Sequence, residues 1–253
     1  MPDLRVFSHA PAPGSTELHL TPEESHHLIV VNRARRGDPV VAFDGRGVEW
    51  ICELFGTGKH AAVLQIRSQR AANPLPYRIV LGQALPKGTT MDTIVRKATE
   101  LGASTLVPLE TERSQVHLEP ERSGKKLEKW QVAALEAAKQ CGNPFLPELR
   151  PIQSLGAFLA ATADTELRLI ASLHPGAQSF KAAWQSHAEK IGRAPTSLAW
   201  LIGPEGDFSP RELADALAAG FKPITFGPLV LRCDTAAVYA LSISSYELQA
   251  SAG

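Results

Sequence analysis

From Arg78 onward the chain alternates short apolar runs with amphipathic stretches, and this alternation limits the fold more than any other feature. The apolar runs are RIVLGQA (78–84), TLVPL (105–109), LRLIASL (167–173), SLAWLIG (197–203) and PITFG (223–227). Between them lie MDTIVRKATELG (91–102), KKLEKWQVAALEAAKQCG (125–142), AQSFKAAWQSHAEKIG (177–192), a helical pattern after Ser209 and a last one after Asp234. Parallel strands need a crossover, usually helical, so repeated strand–helix units predict a mostly parallel sheet covered on both faces. Ile94, Val95, Ala98 and Leu101 fall at helical spacing with Gly102 as the stop, which marks them as core positions.

In such a sheet, ligands bind in the crevice beyond the carboxyl ends of the strands. Two loops punctuated by Gly and Pro fall there, one after SLAWLI and one after PITF. The helix after the first loop has Ser209 as N-cap, Pro210 at its first position, Glu212 to complete a capping box and Gly220 at its end. Gly203, Gly206 and Gly227 permit sharp turns or close approach of backbone to another group. On spacing alone the loops read equally as ligand cradles or as tight strand-to-helix turns.

Residues 1–70 read differently. LRVF, VVAF, VEWICEL and AAVLQI are short β-like runs, with Asp44-Gly45 as a hairpin signal and Gly37-Asp38-Pro39 as an earlier turn. A helix beginning near Pro22, with Glu23 and Glu24 in its first turn, carries His26 and His27. Neighbours on a helix point about 100° apart, so these histidines do not share a metal as an i, i+4 pair would. Arg33, Arg35 and Arg36 form a basic cluster that reads either as a phosphate grip or as a solvated face. Polar, proline-bearing RSQRAANPLPY (67–77) marks a linker, taken as 71–77 between a β-rich domain at 1–70 and an α/β domain at 78–253.

Composition removes several classes. With 253 residues, 44% of them hydrophobic, the chain can bury a sizeable core. Lys plus Arg and Asp plus Glu balance at 26 each, so RNA binding would rest on local patches rather than a global field. Cys52, Cys141 and Cys233 are distant and lack paired spacing, which reads as reduced thiols, with no metal site. No apolar run approaches the roughly 18 residues of a membrane span, and MPDLRVFSHAP lacks a signal-peptide core, so a cytoplasmic address is expected. GTGKHAA (56–62) would need glycine at Glu53 and Ser or Thr at His60 to be a phosphate loop. No Rossmann fingerprint follows a strand and no nucleophile elbow exists, while Ser172 and His174 have no assignable third partner.

Five blocks in order resemble the RsmE family of ribosomal RNA small-subunit uridine-N3 methyltransferases, of the SPOUT superfamily. They are SHHLIVVNRARRGDPVVAFDGRG, QALPKGTTMDTIVRKATELGASTLVPLETERS, KWQVAALEAAKQCGNPFLP, LIGPEGDFSPREL and FGPLVLRCDTA. Departures are Asn32 where leucine is common, Asp207 where glycine is usual, and Cys233-Asp234 where Thr-Glu is frequent. Asp234 keeps the carboxylate.

The resemblance implies a PUA-like β-barrel up to about residue 70, followed by an α/β domain with a trefoil knot, against the ordinary rule that chains do not thread. It implies S-adenosyl-L-methionine as cofactor. The contacts carried over by motif are Leu201, Ile202, Gly203, Pro204, Glu205 and Gly206, then Phe226, Gly227, Pro228, Leu229, Val230 and Leu231. Leu173, His174 and Pro175 would lie near the adenosine. Methyl transfer to uridine N3 needs loss of an imide proton and in-line attack on a sulfonium, which assigns Arg232 to the base or a phosphate and Glu205 or Asp234 to the proton. The same three side chains can instead cap the loop, pair with one another and N-cap the last helix. RNA contacts would come from Lys87, Arg113, Ser114 and the Arg33, Arg35, Arg36 cluster. The expected partners are small-subunit ribosomal RNA or the 30S subunit and a second copy in a homodimer. Ala236, Tyr239 and Leu241 read either as that interface or as core. The competing expectations are a methyltransferase for another RNA such as transfer RNA, and a non-catalytic RNA-binding assembly factor.

Overall fold

The computed structural model describes residues 4–114 and 120–251. The chain divides into two compact units: residues 1–74 together with Leu135–Leu146, and residues 75–134 together with 147–253.

In the first unit a sheet runs in the order β1-β3-β4-β5-β2. Its strands are β1 (Leu4–Phe7), β2 (Glu17–His19), β3 (Pro39–Phe43), β4 (Val48–Gly58) and β5 (Ala61–Ala71). β1 pairs with β3 in parallel, and the other ladders are antiparallel. The β3–β4 turn works through Asp44, whose Oδ1 accepts from the amides of Arg46 at 2.7 Å and Val48 at 3.0 Å. Gly45 and Gly47 supply the left-handed φ values of 73° and 101° that the turn needs.

One expectation is corrected here. Arg67–Ala71, the first half of the stretch read as linker, is strand paired to β4 through Ala71↔Val48 and Arg70↔Glu49. The polar composition reflects what these residues face: Arg67 pairs with Glu53 at 2.8 Å and Arg70 with Glu49 at 2.7 Å. The buried Glu49 carboxylate also receives Arg5 at 2.7 Å. Burial pushes Glu49 upward, but the Arg70 and Arg5 guanidiniums outweigh it and hold the carboxyl below its ordinary value. Val6, Leu28, Val40, Trp50, Leu54 and Leu64 form the apolar core of this unit, and strand alternation puts Val6 and Trp50 on the face opposite to Arg5 and Glu49.

Helix α1 (Pro22–His26) begins at Thr21, whose side chain accepts from the Glu24 amide, and runs into a π-helical turn at His27–Val31. The C-terminal part of a long helix, described below, belongs to this unit. Its Lys139 is buried and bonds Glu24 Oε1, while Glu136 accepts from the same amino group at 2.9 Å. His27 Nε2 lies 3.6 Å from the Glu136 carboxylate.

The second unit is the expected parallel sheet. Its strands are β6 (Arg78–Ala84), β7 (Thr105–Glu110), β8 (Glu148–Leu149), β9 (Gln153–Ser154), β10 (Leu167–Ala171), β11 (Gln178–Ser179), β12 (Ser197–Ile202) and β13 (Lys222–Thr225). The order is β11-β13-β10-β12-β6-β7-β8, with β9 also on β7. Helices α2 (Thr90–Glu100), α3 (Pro120–Cys141), α4 (Leu155–Ala161), α5 (Phe180–Ile191), α6 (Pro210–Ala218) and α7 (Cys233–Ser251) connect the strands and close the chain.

The alternation predicted from Arg78 holds at each long strand. α4 was not anticipated, because LGAFLAA is too short to show helical periodicity. Ser154 caps it by accepting from the Ala157 amide, and Phe158 is buried against Gly82 of β6, where an added Cβ would lie 2.6 Å from the ring. Trp200 of β12 is fully buried and donates from Nε1 to Ser244 Oγ of α7 at 2.8 Å, which meets the requirement that a buried indole N–H find a partner. The capping box of α6 forms as the sequence predicts, Ser209 Oγ accepting from the Glu212 amide at 3.2 Å and Glu212 Oε2 from the Ser209 amide at 2.9 Å. Among the described residues no helix is long and apolar enough to cross a membrane.

Candidate functional site

β10, β12 and β13 are neighbours in the sheet and run parallel, so the loops leaving them emerge together. Those loops enclose a cavity of about 380 Å³. From β12 come Ile202, Gly203, Pro204 and Glu205, with Asp207 beyond; from the loop after β13 come Phe226, Gly227, Leu229, Val230, Leu231 and Arg232. Leu173 follows β10, and Cys233 and Ala236 of α7 complete the wall. The volume falls in the range of small-molecule sites, and the lining combines apolar side chains with open backbone. Leu173, Leu229 and Val230 line it at 62%, 74% and 77% exposure, apolar surface that a bound molecule would cover.

Several expected contacts fall elsewhere. Leu201 is fully buried in a separate apolar cluster with Val80 and Phe158, as strand alternation requires for the residue before Ile202. His174 and Pro175 are exposed, and His174 closes its own turn, Nδ1 accepting from the Gly176 amide at 3.0 Å. Gly206 and Pro228 are exposed loop residues outside the lining, and Gly206 approaches Arg113 instead. Three lining residues that the sequence gives no loop signal for, Ala171, Ser172 and Ile224, sit at strand ends: Ala171 is the last residue of β10, Ser172 the first beyond it, and Ile224 the last but one of β13. Their only signal was the strand-end rule itself.

The three candidate catalytic side chains cluster unevenly. Glu205 reaches across to the loop after β6, its Oε1 accepting from the Lys87 amide at 3.1 Å. Arg232 lines the cavity with its side chain 84% exposed, and its Nε lies 3.8 Å from Asp234 Oδ1. Asp234 stands outside the lining in the first turn of α7, where it accepts from the Thr235 amide at 3.0 Å. Of the three alternatives for these residues, the loop cap by Glu205 and the Arg232–Asp234 pair are visible, whereas Asp234 lies one residue inside α7 and does not N-cap it; Arg232 stays exposed at the rim. Between them Cys233 is buried; desolvation, then the Glu205 and Asp234 carboxylates, push its thiol above the ordinary value and keep it protonated at neutral pH. Asp207 takes a left-handed φ of 58°, which accounts for glycine being usual there, and its Oδ1 accepts from the Phe208 amide at 2.8 Å.

Of the residues expected to meet RNA, Lys87 and Arg113 are exposed in the second unit. Ser114 is corrected: it is buried at 3% exposure with Oγ 2.8 Å from Thr111 Oγ1, so its hydroxyl closes a turn. In the first unit Arg33, Arg35 and Arg36 are exposed, and Arg36 lies over the Phe55 ring at 4.6 Å. Of the proposed interface residues, Ala236 and Leu241 are core, whereas Tyr239 is exposed. Among the described residues no group of three His, Cys, Asp or Glu is placed to hold a metal.

Residues 73–245 match the RNA methyltransferase domain family, and residues 20–67 match the RNA methyltransferase PUA domain. Ribosomal RNA small subunit methyltransferase E of Bacillus subtilis is 30% identical over 91% of this chain and 90% of its own length. The enzyme of that name from Synechocystis is 32% identical over 88% of this chain and 71% of its own. Among solved structures, a putative methyltransferase from Legionella pneumophila with bound cofactor SAM superposes with a TM-score of 0.86 at 33% identity, covering 99% and 98% of the two chains. Ribosomal RNA small subunit methyltransferase E from Neisseria gonorrhoeae, bound to S-adenosyl methionine, gives 0.83 at 27% identity over 97% and 98%. A cavity at the ends of parallel strands, walled by the two glycine loops, thus sits in a chain that belongs to the RNA methyltransferase family.

Proposed function

We propose that this protein transfers a methyl group from S-adenosyl-L-methionine to N3 of a uridine in small-subunit ribosomal RNA, in the cytoplasm, as a homodimer. The observation that carries the reading is the cavity between the Gly203–Phe208 and Phe226–Arg232 loops, rimmed by exposed Leu173, Leu229 and Val230. Its apolar wall suits an adenosine, its backbone groups suit the ribose and amino-acid portion, and the nearby Glu205 carboxylate suits a cation. When bound, the cofactor would supply an activated methyl on a positively charged sulfur.

The chain's own residues would do the rest. Attack by N3 leaves negative charge on the uracil imide, and a guanidinium held at the rim lowers the cost of that charge. Arg232 is assigned this role, with Asp234 restraining its swing and with Glu205 or Asp234 taking the N3 proton. The loop walls exclude water and hold the reacting atoms in line. The first unit, with exposed Arg33, Arg35 and Arg36, grips RNA phosphates, the stretch after β5 serves as linker, and the second unit carries the transfer. A trefoil knot is assigned to the C-terminal segment; the crossing from β12 over β10 to β13 and the near-full-length likeness to the Legionella structure support it. The dimer is assigned to exposed Tyr239 and Tyr246 of α7.

Calorimetric titration with S-adenosyl-L-methionine should give one site per chain. Arg232→Ala should keep that binding and lose methyl transfer; substantial residual turnover would remove its assigned role. A methyl found on transfer RNA instead would favour the other substrate, and cofactor binding without transfer to any RNA would favour an assembly factor.

A further inference from the structure

The turn that leaves β7 is tied to the cofactor loop more firmly than a surface turn needs to be. Thr111 and Ser114 close it through their hydroxyls at 2.8 Å and through the Ser114 amide, which donates to the Thr111 carbonyl at 3.0 Å. The Glu112 amide donates to Oε1 of Glu212 at 2.9 Å. Glu212 is itself buried, with its other oxygen on the Ser209 amide, so the turn is fastened to the N-terminal cap of α6. Arg113 projects from this closed turn. Its Nη1 donates to the Gly206 carbonyl at 2.9 Å and to the Phe208 carbonyl at 3.4 Å.

Those two carbonyls flank Asp207, the non-glycine residue held at a φ of 58°. A left-handed conformation costs a residue with a Cβ roughly 1–2 kcal/mol, and it persists only where the surroundings over-determine it. Charge-assisted bonds to the carbonyls of the residues before and after it are such a determinant. Because the turn is closed before any ligand arrives, little freedom is lost in presenting the guanidinium.

We infer that Arg113 is a positioning residue for the cofactor loop, setting cofactor affinity by holding the Gly206 and Phe208 carbonyls on either side of strained Asp207, and not a contact to RNA phosphate. The inference rests on the cofactor reading of the cavity. It implies that a lysine at this position keeps a positive charge but loses the rigid, planar group whose Nη1 meets both carbonyls, and so restores the effect in part.

Arg113→Ala, Arg113→Lys and the parent protein are compared by calorimetric titration with S-adenosyl-L-methionine in the absence of RNA. Binding to small-subunit ribosomal RNA is measured across a salt series, and thermal unfolding of each variant is recorded. The expected result is cofactor affinity weakened about tenfold or more in Arg113→Ala, as for loss of charge-assisted bonds. Arg113→Lys should be intermediate, with RNA affinity, its salt slope and the melting temperature close to the parent. KM for the cofactor should rise while KM for RNA stays. Unchanged cofactor affinity with weaker, less salt-dependent RNA binding would overturn the inference and return Arg113 to the phosphate contacts. Equal loss of both affinities with a lowered melting temperature and no rescue by lysine would overturn it too, as a general folding role. Failure of the parent protein to bind the cofactor would instead remove the cofactor reading itself.

Discussion

The two units solve the problem of holding a sheet together in opposite ways. In the first, strands pair mostly antiparallel, turns set the register, and a buried Arg5–Glu49 pair, joined by exposed Arg70, sits on the strands. In the second, β6, β10 and β12 are largely apolar strands in parallel register, with the buried rings of Trp200 and Phe158 and small residues such as Gly82 packed against them. A parallel sheet needs little from its loops, since register comes from apolar strands buried on both faces. That leaves the loops at its carboxyl edge free to be shaped for binding, whereas the turns of the antiparallel unit carry structural duty.

If this contrast is right, a loop change in the second unit should affect activity more than stability. The largest expected effect is Arg232→Ala, with methyl transfer falling about a hundredfold or more, as for loss of an oxyanion-type donor, and with little change in melting temperature. A large drop in stability would break the contrast. In the first unit, Glu49→Ala leaves buried Arg5 without its carboxylate and should destabilise by about 3–5 kcal/mol in denaturant unfolding. A smaller core effect is expected in the second unit: Gly82→Ala places a methyl against the Phe158 ring and should cost about 1–3 kcal/mol.

Replacing Arg33, Arg35 and Arg36 together by glutamine should weaken RNA binding and flatten its salt dependence without altering cofactor affinity. RNA affinity that is insensitive to salt and to these changes would remove the first unit from the RNA interface. The smallest effect concerns acid stability. Two bonds from Arg193, then the Thr196 amide and hydroxyl, hold Glu166 at about 2 against an ordinary 4.5, despite some burial. A depressed folded pKa stabilises above the unfolded value, and that stabilisation is lost as pH falls through the folded one. Glu166→Gln should therefore be less stable than the parent at neutral pH, with the difference shrinking between about pH 4.5 and 2, measured by denaturant unfolding across pH.

The long strands and the α6 capping box were legible because each is written locally, in apolar runs or in a Ser-Pro-x-Glu spacing. α4 was not, since its place depends on the space Gly82 leaves for Phe158, a contact 76 residues away in the chain. Polar Arg67–Ala71 read as linker because its strand character comes from Glu49 and Glu53 across the ladder. At the site, the two glycine loops were legible as a pair, but which of their residues face the cavity was not. Leu201 and Ile202 differ only in strand phase, and Ser114 and Arg113 only in what the β7 turn does with its side chains.

Small-subunit ribosomal RNA incubated with the purified protein and S-adenosyl-L-methionine carrying a labelled methyl, then digested to nucleosides, tests the central claim most directly. The account predicts label in 3-methyluridine at a single position, absent with Arg232→Ala. Label on another atom or base, or none on this RNA while the protein binds the cofactor, would contradict it.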